Sequence, residues 1–220
     1  MSRRTLRYRL RGVLCRPSVA RDTIKLLGEL HDLGWQDSVV ARLPIDRDGE
    51  PLPWMNYGAI TVLDSLVRPD VTIFEYGCGF STVWLSHRSA HVHSVEHDRD
   101  WAERVSAMTD ERVSLRIVPC GGDTFDAPPG DPYVDAPLSA DGGAFDMVIV
   151  DGMARRSCLP VAARCLAPGG VLVLDDSERP AYAGARAALA GSGRFRELVV
   201  RGPKPSMGGL SNTSFFLPVA

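Results

Sequence analysis

Between residues 71 and 176 the chain repeats one pattern: a short apolar run, then a stretch with helical spacing. The runs are VTIFEY (71–76), HVHSVE (91–96), VSLRIV (113–118), FDMVIV (145–150) and VLVLDD (171–176). Strands that alternate with helices point to a parallel sheet covered on both faces. The unbroken apolar stretches VIV and VLVL fit strands buried on both sides. Further on, a helix near 182–189 precedes two more runs, 194–202 and 211–218, with KPSMGG between them. Those two runs read as an antiparallel hairpin. The expectation is an α/β, doubly wound, Rossmann-like sheet.

The segment ahead of this pattern is different. Residues 19–33 space Ile24, Leu26, Leu27, Leu30 and Leu33 as an amphipathic helix, which Gly34 ends. The turn-rich LPIDRDGEPLP follows, and Asn56 can cap a second helix over 57–67. Residues 1–53 therefore read as a basic arm with a helical extension, and 54–220 as the sheet domain. Residues 1–25 carry eight basic side chains and one acid, so the other 195 residues hold −9 of the net −2. Such an arm suits an anionic surface or partner, or is simply a solvated terminus. No nucleic-acid partner is expected. Only Lys25 and Lys204 are lysines against 23 arginines, which reads as codon usage rather than function.

Composition excludes several classes. With 45% hydrophobic and 24% charged residues, the chain is neither disordered, collagenous nor a coiled coil. No apolar stretch is long enough to span a bilayer, and the start lacks a secretory h-region. Five scattered cysteines with no CxxC pair suggest neither a disulfide framework nor a zinc knuckle, so a reducing cytoplasmic setting is expected. His91 and His93 alternate on a strand and read as structural, and Cys158 and Cys165 as core packing. No Gly-x-Ser-x-Gly elbow or Walker loop supports acyl transfer or nucleotide hydrolysis.

The chemistry concentrates in FEYGCGFST (74–82), where an apolar strand meets Gly77-Cys78-Gly79 and a helix begins at once. Glycines there allow a tight turn and close approach of a ligand to the backbone, and the helix start favours an anionic group. The second strand ends in Glu96, 17 residues after Gly79, where a carboxylate can accept from ribose hydroxyls. A dinucleotide fingerprint wants a third glycine, but Thr82 stands there. Glu75 beside the turn would repel a pyrophosphate and attract a sulfonium and its amino group. The electrostatics favour S-adenosylmethionine over NAD.

In this order the motifs resemble the class I S-adenosylmethionine-dependent methyltransferases. FEYGCGFST is similar to their first motif, SVEHD to the ribose-binding strand end, and FDMVIVDG and LAPGGVLVLDD to the fourth- and fifth-strand regions. PWMNYGAI ahead of these narrows the likeness to a group of small, poorly characterised bacterial methyltransferases. The resemblance implies a seven-stranded sheet, mostly parallel, with an antiparallel last strand. It puts Gly77 and Gly79 against the cofactor, Glu75 near its methionine amino group and Glu96 on the ribose. His97 and Asp98 would border the adenine, and Asp123 would meet the adenine amino group. Ser81 and Thr82 are either donors to the cofactor carboxylate or plain helix caps.

Asp151 ends the fourth strand and Asp175-Asp176 the fifth, where neighbouring parallel strands open onto one crevice. The trio resembles the ligand set of catechol-type O-methyltransferases, which implies Mg²⁺ among hard oxygen ligands. Ala154 stands where those enzymes have a lysine. A metal, a metal-free Asp151 base and a structural role are therefore three open readings. Arg155 and Arg156 would bind an anionic substrate group or start a solvated helix. Trp54, Asn56 and Tyr57 would form part of a lid, or pack and cap. The acceptor pocket is expected from the N-terminal helices, the Gly-, Pro- and Asp-rich 121–143 loop, and the passage after Asp176. The function read here is methyl transfer to an oxygen of a small or sugar-like molecule. An NAD-linked oxidoreductase or a non-catalytic binding relative are the alternatives.

Overall fold

The computed structural model describes residues 16–140 and 143–219. Most of the arm (1–15) therefore lies outside the described residues. Helices α1 (Pro17–Asp32) and α2 (Trp35–Ala41) lead, joined at Gly34, and α3 (Tyr57–Leu66) follows a turn closed by an Ile45–Pro51 bridge. Then come β1 (Thr72–Tyr76), α4 (Phe80–Ser86), β2 (His91–Glu96), α5 (Arg99–Ser106) and β3 (Val113–Ile117). After a long connection, β4 (Phe145–Val150), α6 (Arg155–Arg164), β5 (Leu166–Asp175), α7 (Ala183–Gly191), β6 (Phe195–Pro203) and β7 (Leu210–Pro218) complete the chain.

The strands form one seven-stranded sheet in the order β3-β2-β1-β4-β5-β7-β6. β1 to β5 run parallel, and β7 lies antiparallel between β5 and β6. The chain goes from β1 outward through β2 and β3, then returns to the other side of β1 with β4. That reversal makes the gap between the carboxyl ends of β1 and β4 the topological switch point, where open α/β sheets bind ligands.

Strand alternation builds two cores. Phe74, Tyr76, Val148, Val150, Leu172 and Leu174 face α6 and the Tyr133–Val134 segment, joined by Phe145 and Tyr182. Ile73, Met147, Ile149, Val171 and Val173 point the other way, onto Leu63 and Ile60 of α3 and Trp84 and Leu85 of α4. Asn56 joins this layer to the sheet. Its side-chain oxygen caps α3 by accepting from the Ala59 N–H, while its amide donates to Val200 O and Thr213 Oγ1.

Two parts differ from expectation. The apolar stripe of α1 is not buried: Ile24 and Leu26 are exposed, and no residue of this helix is buried among the described residues. The 121–143 connection, for its described residues, is packed onto the sheet domain rather than left as a free loop. Buried Asp131 accepts from the N–H groups of Gly121 and Tyr133, Tyr76 Oη donates to Val134 O, and Tyr133 Oη accepts from Met153 N. A turn of 3-10 helix, Ala136–Ser139, closes it.

Candidate active site

The β1–α4 turn is built from backbone contacts that leave no room for a side chain at Gly77. Gly77 has φ +87°, and a Cβ there would lie 2.7 Å from the Gly152 Cα, so the turns after β1 and β4 touch backbone to backbone. Gly77 N–H donates to Val95 O, Cys78 N–H to Glu96 Oε2, and Gly79 N–H to Thr82 Oγ1. Trp101 closes the turn from α5 by donating its indole N–H to Cys78 O at 2.7 Å. Nothing crowds the Cβ direction of Gly79, whose nearest neighbours are Ser81 Oγ and Trp101, each 3.9 Å away.

Above this turn is a cavity of about 750 Å³, within the rough 300–1,000 Å³ range of small-molecule sites. Gly77, Cys78, Gly79 and Ser81 form its floor, with Glu96, His97, Asp98 and Trp101 at one end. Asp151, Arg155, Asp176, Arg179 and Lys204 line the other end. Glu96 is 4% exposed; its Oε1 accepts from the N–H groups of His97 and Asp98 and pairs with His97 Nδ1. Among the described residues its Oε2 takes only the Cys78 N–H, so capacity remains there for a hydroxyl.

Several expected residues take other positions. Glu75 is fully buried beneath the turn and is not in the cavity wall. Its carboxylate accepts from Ser81 Oγ, Thr82 Oγ1 and Ser94 Oγ. Burial pushes this group up to about 7 despite those donors. Thr82 is likewise buried behind the turn. Asp123 is exposed and also outside the wall: its carboxylate closes a local turn by accepting from Phe125 and Asp126 N–H, and Thr124 reaches the cavity instead. Arg156 pairs with Asp126 at the surface.

The carboxylates at the ends of β4 and β5 are enclosed by cations. Arg155 donates to the carbonyl oxygens of Asp151, Gly152 and Asp175 and pairs with Asp151 Oδ1 at 2.9 Å. Asp175 is inaccessible, with Oδ1 on Thr213 Oγ1 and Oδ2 2.6 Å from Lys204 Nζ. Asp176, at φ +52°, meets Lys204 at 3.0 Å and Arg179 at 2.5 Å. Burial raises Asp151, as do Asp175 and Asp176, against Arg155 and Lys204. Burial alone would lower Lys204, but Asp175, Asp151 and Asp176 together raise it. Asp176 stays low: Lys204, Arg155 and Arg179 overcome its burial.

A divalent ion does not fit this donor set. Three carboxylates already face three fixed cations, and no cluster of three His, Cys, Asp or Glu side chains suited to a metal occurs among the described residues. The donor set thus gives no support to Mg²⁺ at Asp151, Asp175 and Asp176.

Sequence reasoning missed the contribution of the β6–β7 hairpin. The turn and the start of β7 supply Lys204, Met207, Gly208, Gly209, Leu210 and Ser211 to the cavity, whereas the 121–143 connection, among its described residues, supplies Thr124 alone. Two indoles hold this turn from the N-terminal side: Trp35 donates to Met207 O at 3.1 Å and Trp54 to Pro205 O at 3.0 Å. The overlooked signal was Lys204 itself, one of two lysines in a chain that otherwise uses arginine.

A glycine-floored cleft at the switch point, with an acid ending β2 and an antiparallel β7 inserted beside β5, defines the class I methyltransferase fold. The model of a methyltransferase domain matches residues 74–177, the part that carries the cleft floor and the β4 and β5 ends. That match and the shared architecture make residues 74–177 similar to a methyltransferase domain. A methyltransferase-like protein from Silicibacter pomeroyi is 26% identical, with 77% of this chain and 89% of that one covered and a TM-score of 0.53. The O-methyltransferase TomG from Streptomyces achromogenes, involved in tomaymycin synthesis and solved with SAM, is 19% identical over 74% and 77% of the two chains, TM-score 0.54. An rRNA methylase from Streptococcus thermophilus is 12% identical over 73% and 93%, TM-score 0.53. No curated protein matches the sequence. No helix among the described residues is long and apolar enough to cross a membrane.

Proposed function

We propose that the chain methylates an oxygen of a small, hydroxyl-bearing molecule, with S-adenosylmethionine held along the β1–α4 turn. The observation that carries this reading is that Gly79, Glu96 and Asp151 all open onto one cavity. Glu96 Oε2 accepts from the ribose, His97 and Trp101 flank the base, and the open side of Gly79 admits the methionine end. Glu75 acts one layer back, by fixing the hydroxyls of Ser81 and Thr82.

The sulfonium donor is already activated, so alignment and exclusion of water are the main tasks of the protein. The acceptor hydroxyl gives its proton to Asp151 as its oxygen attacks the methyl carbon. The carbon–sulfur bond breaks, and its electron pair stays on sulfur as S-adenosylhomocysteine. A carboxylate raised towards neutrality is a better base for this than an ordinary aspartate. Arg155 holds the carbonyl ends of β4 and β5 and keeps Asp151 in place.

Calorimetry with S-adenosylhomocysteine and with NAD, on wild type and Glu96→Ala, tests the cofactor assignment. Wild type is expected to bind the homocysteine form and not NAD. Folded wild type that binds neither, or only NAD, would reject the reading.

A further inference from the structure

The end of the cavity beyond Asp151 is crowded with charge, and its centre is a lysine. Lys204 Nζ lies 2.6 Å from Asp175 Oδ2 and 3.0 Å from Asp176 Oδ1, and its side chain is about nine-tenths buried. An ammonium has three donors. Two are taken by those carboxylates, and the third has no partner among the described residues. Ser211, one position past the β7 residue that pairs with Pro203, lines the same wall. Its hydroxyl is buried and likewise without a partner among the described residues. Lys204 thus brings an unused donor to the end of the cavity that Asp151 also lines.

We propose that Lys204 is the resident cation of the acceptor site: it stands where a divalent ion would sit among Asp151, Asp175 and Asp176, and binds the acceptor oxygen without a metal. This deepens the methyltransferase reading and rests on it. A compact ammonium suits the position because its charge can sit between two carboxylates and still direct a donor outward; a planar guanidinium spreads its donors over a fork. The lysine stays protonated throughout. It stabilises the charge that develops on the oxygen while the proton passes to Asp151. The site therefore takes a neutral hydroxyl compound and has no vacant place for Mg²⁺ or Mn²⁺.

Paramagnetic resonance of Mn²⁺ added to the full chain, saturated with S-adenosylhomocysteine, tests this without knowing the acceptor. Wild type is expected to leave the free Mn²⁺ signal unchanged at millimolar ion. Lys204→Ala, which exposes Asp175 and Asp176, is expected to remove one ion per chain from that signal. Adding Asp175→Asn to it should restore the free signal. The proposal is overturned if wild type binds an ion that Asp175→Asn abolishes, or if folded Lys204→Ala gains none. If Lys204→Ala does not fold, wild type and Lys204→Arg, both expected to bind no ion, decide the matter. Calorimetry on the same samples keeps the outcomes apart, because lost binding of S-adenosylhomocysteine by wild type would instead sink the methyltransferase reading.

Discussion

At Gly77 a positive φ and backbone contact with Gly152 coincide. Gly77→Ala must strain that turn or push the two strand ends apart, at a cost of about 1–3 kcal/mol. Denaturant unfolding should register the loss, and binding of S-adenosylhomocysteine should weaken with it. Asp151 is open to a sharper test. Asp151→Asn removes the proton acceptor but keeps the shape, so kcat should fall about 10²- to 10⁴-fold with little change in cofactor binding. Because the wild-type carboxyl is raised, its working, ionised form is lost as pH falls through a value above the usual carboxylate range. The rate should thus climb with pH across that interval in wild type, and this limb should vanish in Asp151→Asn. Gly77, Gly79 and Glu96 were legible in the sequence because a turn between strand and helix fixes where each stands. The fate of Glu75 was not. A strand position alternates between two faces, and only the packing of Ser81, Thr82 and Ser94 around it shows that it points beneath the turn.

The hairpin is the element that decides what the cavity becomes. Composition identified β6, β7 and the turn between them, but nothing in their spacing announces that the turn folds back over the ends of β4 and β5. Register does this: β7 pairs antiparallel with β5, bringing Thr213 opposite Asp175 and leaving the preceding turn, with Lys204, against the β5 end. Trp35 and Trp54 then hold the turn in place. Trp54→Phe keeps most of the packing and removes one hydrogen bond, a loss of about 0.5–1.5 kcal/mol in local stability. Hydrogen exchange at residues 204–210 should quicken, while that of β1 and β4 stays unchanged. Asn56 belongs to the same scale, since one side chain caps α3 and ties it to β6 and β7. Asn56→Ala should cost more than an ordinary cap, beyond about 2 kcal/mol, because part-buried Val200 O and buried Thr213 Oγ1 each lose a partner. Thermal unfolding would check this.

Across the whole molecule, buried acids set an uncommon dependence of stability on pH. Glu75 is raised to about 7, and Asp151 and Asp175 are raised as well, burial being the main cause in each. A carboxyl that holds its proton more tightly when folded stabilises the native state below its unfolded pKa, and that contribution fades as pH climbs through the folded value. Glu75 should therefore make the protein less stable as pH rises from about 4.5 towards 7 and beyond. Glu75→Gln should flatten this slope, as read from denaturant midpoints at several pH values. The sequence by itself determined the alternating parallel sheet, the glycine turn at its switch point and the acid that ends β2. These are local matters: periodicity, turn chemistry and position at a strand end are properties of neighbouring residues. Only the tertiary structure decided that Glu75 supports the turn from below, that Asp123 serves its own loop, and that a lysine about thirty residues beyond Asp175 neutralises it. Those outcomes depend on which distant groups share a buried volume, and a carboxylate taken out of water is bound to whichever cation the fold brings within reach.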